Sequence, residues 1–258
     1  MKVKRTIHNK TILLSTGWFI ILFVLCSFTV FQDRPITIYL VGDSTMANKT
    51  STEWPETGWG MPFKYFFNKS ITVDNRAVNG RSTKTFIAEN RWQEVLDVLK
   101  PGDYVFIEFG HNDEAVGIPR STSPEAYRVN LEKMVRETRA KSALPILLTP
   151  VSRRRFTHDG KIDDTHILYS PIVKEVAANT HTPLIDMDKK SAALLEELGP
   201  ENAKFLFNYI KPGINPNYPA GRSDDTHFNE TGARRMAELV LAEIKNIDAA
   251  LYARVITK

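Results

Sequence analysis

The sequence predicts a three-layer α/β/α sandwich built on a central parallel sheet, and three observations carry that expectation. Short, near-continuous apolar runs recur along the 258 residues. Amphipathic helical stretches separate them, and a polar turn follows each of the first three runs. Strands that are apolar on both sides are covered on both faces, and parallel neighbours require crossover connections, which the intervening helices supply. With 42% hydrophobic residues the chain can bury a substantial core.

The first 32 residues stand apart in composition. Lys2, Lys4, Arg5 and Lys10 precede a mainly apolar run from Thr11 to Phe31, and no acidic residue occurs before Asp33. This is the pattern of a signal peptide or an N-terminal membrane anchor: the run is about 20 residues, enough to span a bilayer, and lacks an Ala-x-Ala-like cleavage site. Both readings stand, and both place the remainder, residues 33–258, outside the cytoplasm, with membrane attachment through residues 11–31 in the second. Cys26, the only cysteine, follows Phe23-Val24-Leu25, a poor match to a lipoprotein box. The exported domain therefore has neither disulfide nor thiol nucleophile. The four basic residues of the leader account for the formal net charge of +4, so residues 33–258 are neutral and nucleic acid is not an expected partner.

Strands are expected at Ile36 to Val41, Ile71 to Val78, Tyr104 to Phe109, Ile146 to Thr149 and Leu184 to Ile185. Trp92, Val95, Leu96 and Leu99 fall on one helical face, as do Tyr127, Leu131, Met134 and Val135. Ser123-Pro124 and Ser170-Pro171 each read as a helix N-cap followed by a first-turn proline. A last helix is expected from about Thr231 to Ile247, and the Pro- and Asn-rich stretch from Lys211 to Ser223 reads as a surface loop.

Ligands of doubly wound sheets bind beyond the carboxyl ends of the strands. There the sequence places Gly42-Asp43-Ser44 after the first strand, Asn79-Gly80-Arg81-Ser82 after the second and Gly110-His111-Asn112-Asp113 after the third. Asp224-Asp225-Thr226-His227 precedes the last helix. These four segments, in this order, resemble the blocks of the SGNH (GDSL) hydrolase superfamily, whose fold is a flavodoxin-like sandwich. Within it the resemblance is to carbohydrate esterases of the rhamnogalacturonan acetylesterase type, carried by Gly42 to Ala47, Pro55 to Gly60, Gly80 to Lys84, Thr149 to Arg154 and Asp224 to Phe228. It implies a catalytic domain over residues 33–258 that removes acetyl groups from an acetylated polysaccharide of the pectin type. Another acetylated glycan or a lipid ester is the alternative substrate, and a glycan-binding protein without catalysis is the alternative of another class.

The resemblance assigns Ser44, Asp224 and His227 as catalytic triad and the Ser44 and Gly80 backbone N–H groups with the Asn112 amide as oxyanion donors. The residue types suit ester hydrolysis: a serine needs a base, the base needs a carboxylate to hold its tautomer, and the developing oxyanion needs fixed donors. Ser44 taken alone fits helix capping as well. Asp43 reads as a turn residue. The tetrapeptide Asp-Asp-Thr-His also occurs at 163–166, so His166 is the rival base, with a structural or substrate-contact role as its default, while His111 reads as a packing or hydrogen-bonding residue. Arg153 and Arg154 are candidate partners of an acidic sugar or simply solvated. Trp59 and Tyr218 are candidate groove residues, with core packing the other reading for Trp59. No Cys-x-x-Cys, His-Glu-x-x-His or glycine-rich phosphate loop occurs, so neither a metal nor a cofactor is expected.

Overall fold

The computed structural model describes residues 35–256; the leader expected over residues 1–32 lies outside them. Among the described residues no helix is long and apolar enough to cross a membrane. Five strands, β1 (Ile36–Gly42), β2 (Ile71–Asn75), β3 (Tyr104–Glu108), β4 (Leu144–Leu148) and β5 (Leu184–Ile185), form one sheet in the order β2-β1-β3-β4-β5. Every pairing in it is parallel.

The apolar runs fill both faces because alternate residues point to opposite sides. Ile38 and Leu40 of β1, Tyr104 and Phe106 of β3 and Ile146 and Leu148 of β4 enter one core. Tyr39, Val41, Val105, Ile107 and Leu147 enter the other. The first core is closed by α1 (Gly60–Phe63), α6 (Met187–Asn202), α7 (Glu230–Ile247) and α8 (Ala249–Tyr252). The second is closed by α2 (Thr83–Ala88), α3 (Arg91–Val98), α4 (Pro124–Ala140) and α5 (Tyr169–Asn179). The predicted helical stripes are the buried ones: Trp92, Val95 and Leu96 on α3, and Tyr127, Leu131, Met134 and Val135 on α4. Each such side chain contributes about 1.5–3 kcal/mol by leaving water.

Ser123 caps α4 as expected, accepting from the Ala126 N–H, with Pro124 in the first turn. The Ser170-Pro171 expectation is corrected. Helix α5 already begins at Tyr169, and the buried Ser170 donates instead to Asp188 Oδ2 at 2.6 Å. Strand β2 stops at Asn75, three residues short of its predicted end, because the Asn75 side chain accepts from the Ala77 N–H and turns the chain.

The stretch read as a surface loop is bordered by an antiparallel pair, β6 (Phe207–Ile210) and β7 (Arg222–Phe228). Strand β7 carries Asp224 and His227. Its sequence, RSDDTHF, has no apolar alternation, since only its last residue is buried. Phe207 and Phe228 face each other across the pair, ring centroids 5.1 Å apart, and both enter the first core, while the Thr57 N–H donates to Phe228 O at 2.8 Å.

Gly232 lets α7 approach the turn that precedes β6: a Cβ there would lie 1.9 Å from Leu206 O. Helix propensity favours alanine over glycine by about 1 kcal/mol, but a clash with backbone carbonyl cannot be relieved by a rotamer change. Gly232→Ala should therefore lower the melting temperature; an unchanged or raised value in a thermal scan would show the approach to be dispensable.

Candidate active site

Strand order reverses at β1, between β2 and β3, and Ser44 follows β1 at this switch point, where doubly wound sheets open a crevice. No helix starts at Ser44, which removes the capping reading. Its Oγ lies 2.9 Å from His227 Nε2, joining residues 183 positions apart. His227 Nδ1 lies 2.9 Å from Asp224 Oδ2. The other Asp224 oxygen accepts the backbone N–H of Thr226 at 2.8 Å and of His227 at 2.9 Å. One carboxylate thus fixes both the local backbone and the imidazole ring.

Arg222, which sequence reasoning did not single out, donates to Asp224 Oδ2 through Nε and a terminal nitrogen and also pairs with Glu56 at 3.2 Å. Burial pushes the Asp224 carboxyl up, but the bonds from His227 and Arg222 outweigh it and hold the group well below the usual carboxylate range. It stays ionised, as an orienting carboxylate must.

Gly80 has φ +74°, a left-handed conformation that favours glycine, and a Cβ there would meet nothing within 4 Å. Its requirement is conformational rather than steric. The Asn112 amide donates one hydrogen to Arg81 O at 3.0 Å, tying the turn after β2 to the turn after β3. The second hydrogen of that amide is left for a ligand. Among the described residues, neither the Ser44 nor the Gly80 backbone N–H is taken by another group.

His166 is not brought to Ser44. Its ring nitrogens meet Glu114 Oε2 at 2.9 Å and Val151 O at 3.0 Å. His111 packs edge-on against it, ring centroids 4.6 Å apart. Three of the substrate-contact candidates have partners within the chain, and for Trp59 these are those of the core-packing reading. Trp59 is fully buried, donates to Glu108 Oε2 at 2.7 Å and packs edge-on against Phe63. Arg154 is clamped between Asp225 Oδ1, Pro200 O and the Tyr209 hydroxyl, with its guanidinium over the Tyr209 ring. Arg153 pairs with Glu114. Tyr218 remains partly exposed and donates to Glu53 O at 2.7 Å, pinning its loop to the loop of Trp54, whose ring is half exposed.

Two acids lie under the nucleophile. Asp43 and Glu108 are both wholly buried, and Thr45 Oγ1 stands 2.9 Å from Asp43 Oδ1 and 3.0 Å from Glu108 Oε1. One hydroxyl proton cannot serve two carboxylates. A protonated Glu108 resolves this by donating to Thr45, which donates to Asp43. Burial, then the charge of Asp43, push the Glu108 carboxyl up to about 8, and burial also raises Asp43.

A family model described as the GDSL-like lipase/acylhydrolase family matches residues 40–235. The chain belongs to that family. It is a carboxylic ester hydrolase. It is 37% identical over 226 residues to the rhamnogalacturonan acetylesterase RhgT of Bacillus subtilis, covering 87% of this chain and 96% of that one. It is 37% identical over 221 residues to the probable rhamnogalacturonan acetylesterase YesY of the same organism, covering 85% and 97%. The crystal structure of Bacillus subtilis YxiM superposes with TM-score 0.72 at 28% identity over 84% of this chain, which spans only 58% of YxiM. An acetylxylan esterase from Geobacillus stearothermophilus shares the fold, with TM-score 0.61 at 19% identity over 82% of this chain and 94% of that one.

Because the raised Glu108 holds its proton in the fold and releases it on unfolding, its contribution to stability is full below pH about 4.5 and is lost as pH rises through about 8. Glu108→Gln, which keeps a donor toward Thr45 and an acceptor toward Trp59, should flatten the fall in stability across this window in denaturant titrations at several pH values. An unchanged slope would remove Glu108 as its source.

Proposed function

We propose that the chain is an exported serine esterase that removes acetyl groups from rhamnogalacturonan through an acetyl-enzyme on Ser44. The observation that carries it is the continuous relay from Ser44 Oγ through His227 to Asp224. His227 Nε2 accepts the Ser44 proton as the oxygen attacks the acetyl carbonyl. Asp224 accepts from Nδ1 and so keeps Nε2 free to act as base. Negative charge forming on the carbonyl oxygen meets the Ser44 and Gly80 N–H groups and the remaining Asn112 amide hydrogen. As the tetrahedral intermediate collapses, the sugar–oxygen bond to the acetyl carbon breaks and His227 returns the proton to the departing sugar hydroxyl. A water molecule, deprotonated by the same ring, then attacks the acetyl-enzyme, and Ser44 leaves reprotonated with acetate as the product.

The pectin-type substrate is supported by the names of the two Bacillus subtilis relatives. It is supported also by an open groove of about 370 Å³ beginning at Gly80 and lined by Arg81 and Arg120. Arg81 is paired there with Glu89, so the Arg120 guanidinium is the group that suits a galacturonate carboxylate. Export is supported by the basic and apolar composition of residues 1–32.

Ser44→Ala should lower kcat for acetate release by at least about 10⁴-fold, with the melting temperature shifted by no more than about 2 °C. Retained activity would refute the acetyl-enzyme. In a panel of acetylated rhamnogalacturonan, acetylated xylan and long-chain acyl esters, the first should give the highest kcat/KM; preference for long acyl chains would remove the sugar assignment. Export is read separately by fractionation and mass spectrometry of the mature N-terminus. Chain recovered outside the cytoplasm, cleaved or membrane-held, supports it; recovery in the cytoplasm with an intact N-terminus opposes it.

A further inference from the structure

A buried histidine with no partner marks a second site. His111 is only 6% exposed, and neither of its ring nitrogens has a hydrogen-bond partner. The Val151 carbonyl approaches the ring as a hydrogen-bond acceptor would, but short of hydrogen-bonding geometry, and it is already taken by His166 Nε2 at 3.0 Å. Burying such a ring without a partner is costly, and native cores rarely leave it so.

The groups around it share a feature. Ligand atoms of His111, Glu114 and His166 all lie within 4.8 Å of one another. His166 is wholly buried, and its Nε2 faces Val151 O at 3.0 Å. A carbonyl oxygen only accepts, so Nε2 carries a hydrogen. The other nitrogen, Nδ1, faces Glu114 Oε2 at 2.9 Å, and a positive centre must lie between or beside this lone pair and the carboxylate. A proton on Nδ1 answers for His166 and Glu114 but leaves His111 orphaned. A metal ion answers for all three.

We propose that His111, Glu114 and His166 bind a divalent transition-metal ion of the Zn²⁺ class. Two imidazoles and one carboxylate are ligands suited to it, with a fourth position left to water. The surroundings match what metal ligands carry outside the first contacts. The Val151 carbonyl fixes the His166 tautomer, and Arg153 holds the second Glu114 oxygen. A solvent-open cavity of about 560 Å³, lined by His111, Glu114 and Thr165, admits the ion and its water. Thr165 Oγ1 is itself buried and unpartnered. The ion joins the turn after β3 to the segment after β4. Since Asn112 lies between two of the ligands in sequence, the ion also stiffens the turn that presents its amide. Metal binding itself does not depend on the esterase reading.

The full chain, purified without a polyhistidine tag and treated with EDTA, is titrated with Co²⁺ and then Zn²⁺. One equivalent of Co²⁺ should give visible d–d bands of a four-coordinate ion, and Zn²⁺ should abolish them. Zn²⁺ at a hundredfold excess over its Kd should raise the melting temperature by about 5–10 °C. His111→Ala should weaken binding by at least about 100-fold. Because losing a buried ring can unfold the chain, Glu114→Gln is the second variant and should show the same loss with its circular dichroism unchanged. His227→Ala should keep the full equivalent, which separates this site from the grouping of Glu56, Asp224 and His227. No bands and no thermal shift in the wild-type chain would overturn the proposal, as would binding abolished by His227→Ala and retained in Glu114→Gln.

Discussion

The hydrogen bond between Ser44 and His227 is the constraint on which the rest of the site depends, because its two ends come from opposite ends of the domain. An imidazole delivered from 183 residues away must arrive within a fraction of an ångström. The chain achieves this by making the far end rigid before docking it. Asp224 spends one oxygen on the N–H groups of Thr226 and His227 and the other on the ring of His227. The backbone and side chain of the base are therefore set by a single residue three positions earlier, and Arg222 sets that residue in turn. What remains is the placement of β7, fixed by its pairing with β6, by the Phe207–Phe228 contact and by Asn229, which donates to Phe205 O and Phe207 O while capping α7.

The near end is held differently. Ser44 leaves β1 over two buried acids and a buried tryptophan, an arrangement that costs stability unless its polar groups are satisfied. Thr45 mediates between Asp43 and Glu108, and Trp59 satisfies the second Glu108 oxygen. Each partner comes from a different segment, the turn after β1, the end of β3 and the start of α1. The polar chain therefore fixes these segments relative to one another in a way that apolar packing alone would not. Asp43 Oδ2 is left without a partner.

Most of the fold was legible because the sheet strands are continuous apolar runs buried on both faces and α3 and α4 carry apolar stripes of period 3.6. The strand ends gave up Ser44, Gly80 and Asn112 for the same reason: once the strands are placed, the turns after them share one edge. Strand β7 was not legible, since its sequence, RSDDTHF, carries neither an apolar run nor an apolar alternation. For Trp59, Arg153 and Arg154 the sequence left two readings open, because a side chain's fate depends on long-range partners, here Glu108, Glu114 and Asp225, that local pattern does not reveal. Arg222 and Glu56 were missed on the same ground, although an arginine two residues before an orienting aspartate is a signal that could have been weighed.

The commitment of these arginines bears on how an acidic glycan would be held. With residues 33–258 formally neutral, no long-range field draws a polyanion to the surface, so attraction must come from individual guanidinium groups at the site. Arg153, Arg154 and Arg222 each face a carboxylate of the chain, and their charge is largely cancelled there. Arg81 is likewise paired with Glu89. Arg120, exposed, lines the groove that begins at Gly80 and has no carboxylate of the chain paired with it among the described residues. Any guanidinium free to meet an anionic sugar therefore lies beside the oxyanion donors rather than in the arginine-rich segment after β4.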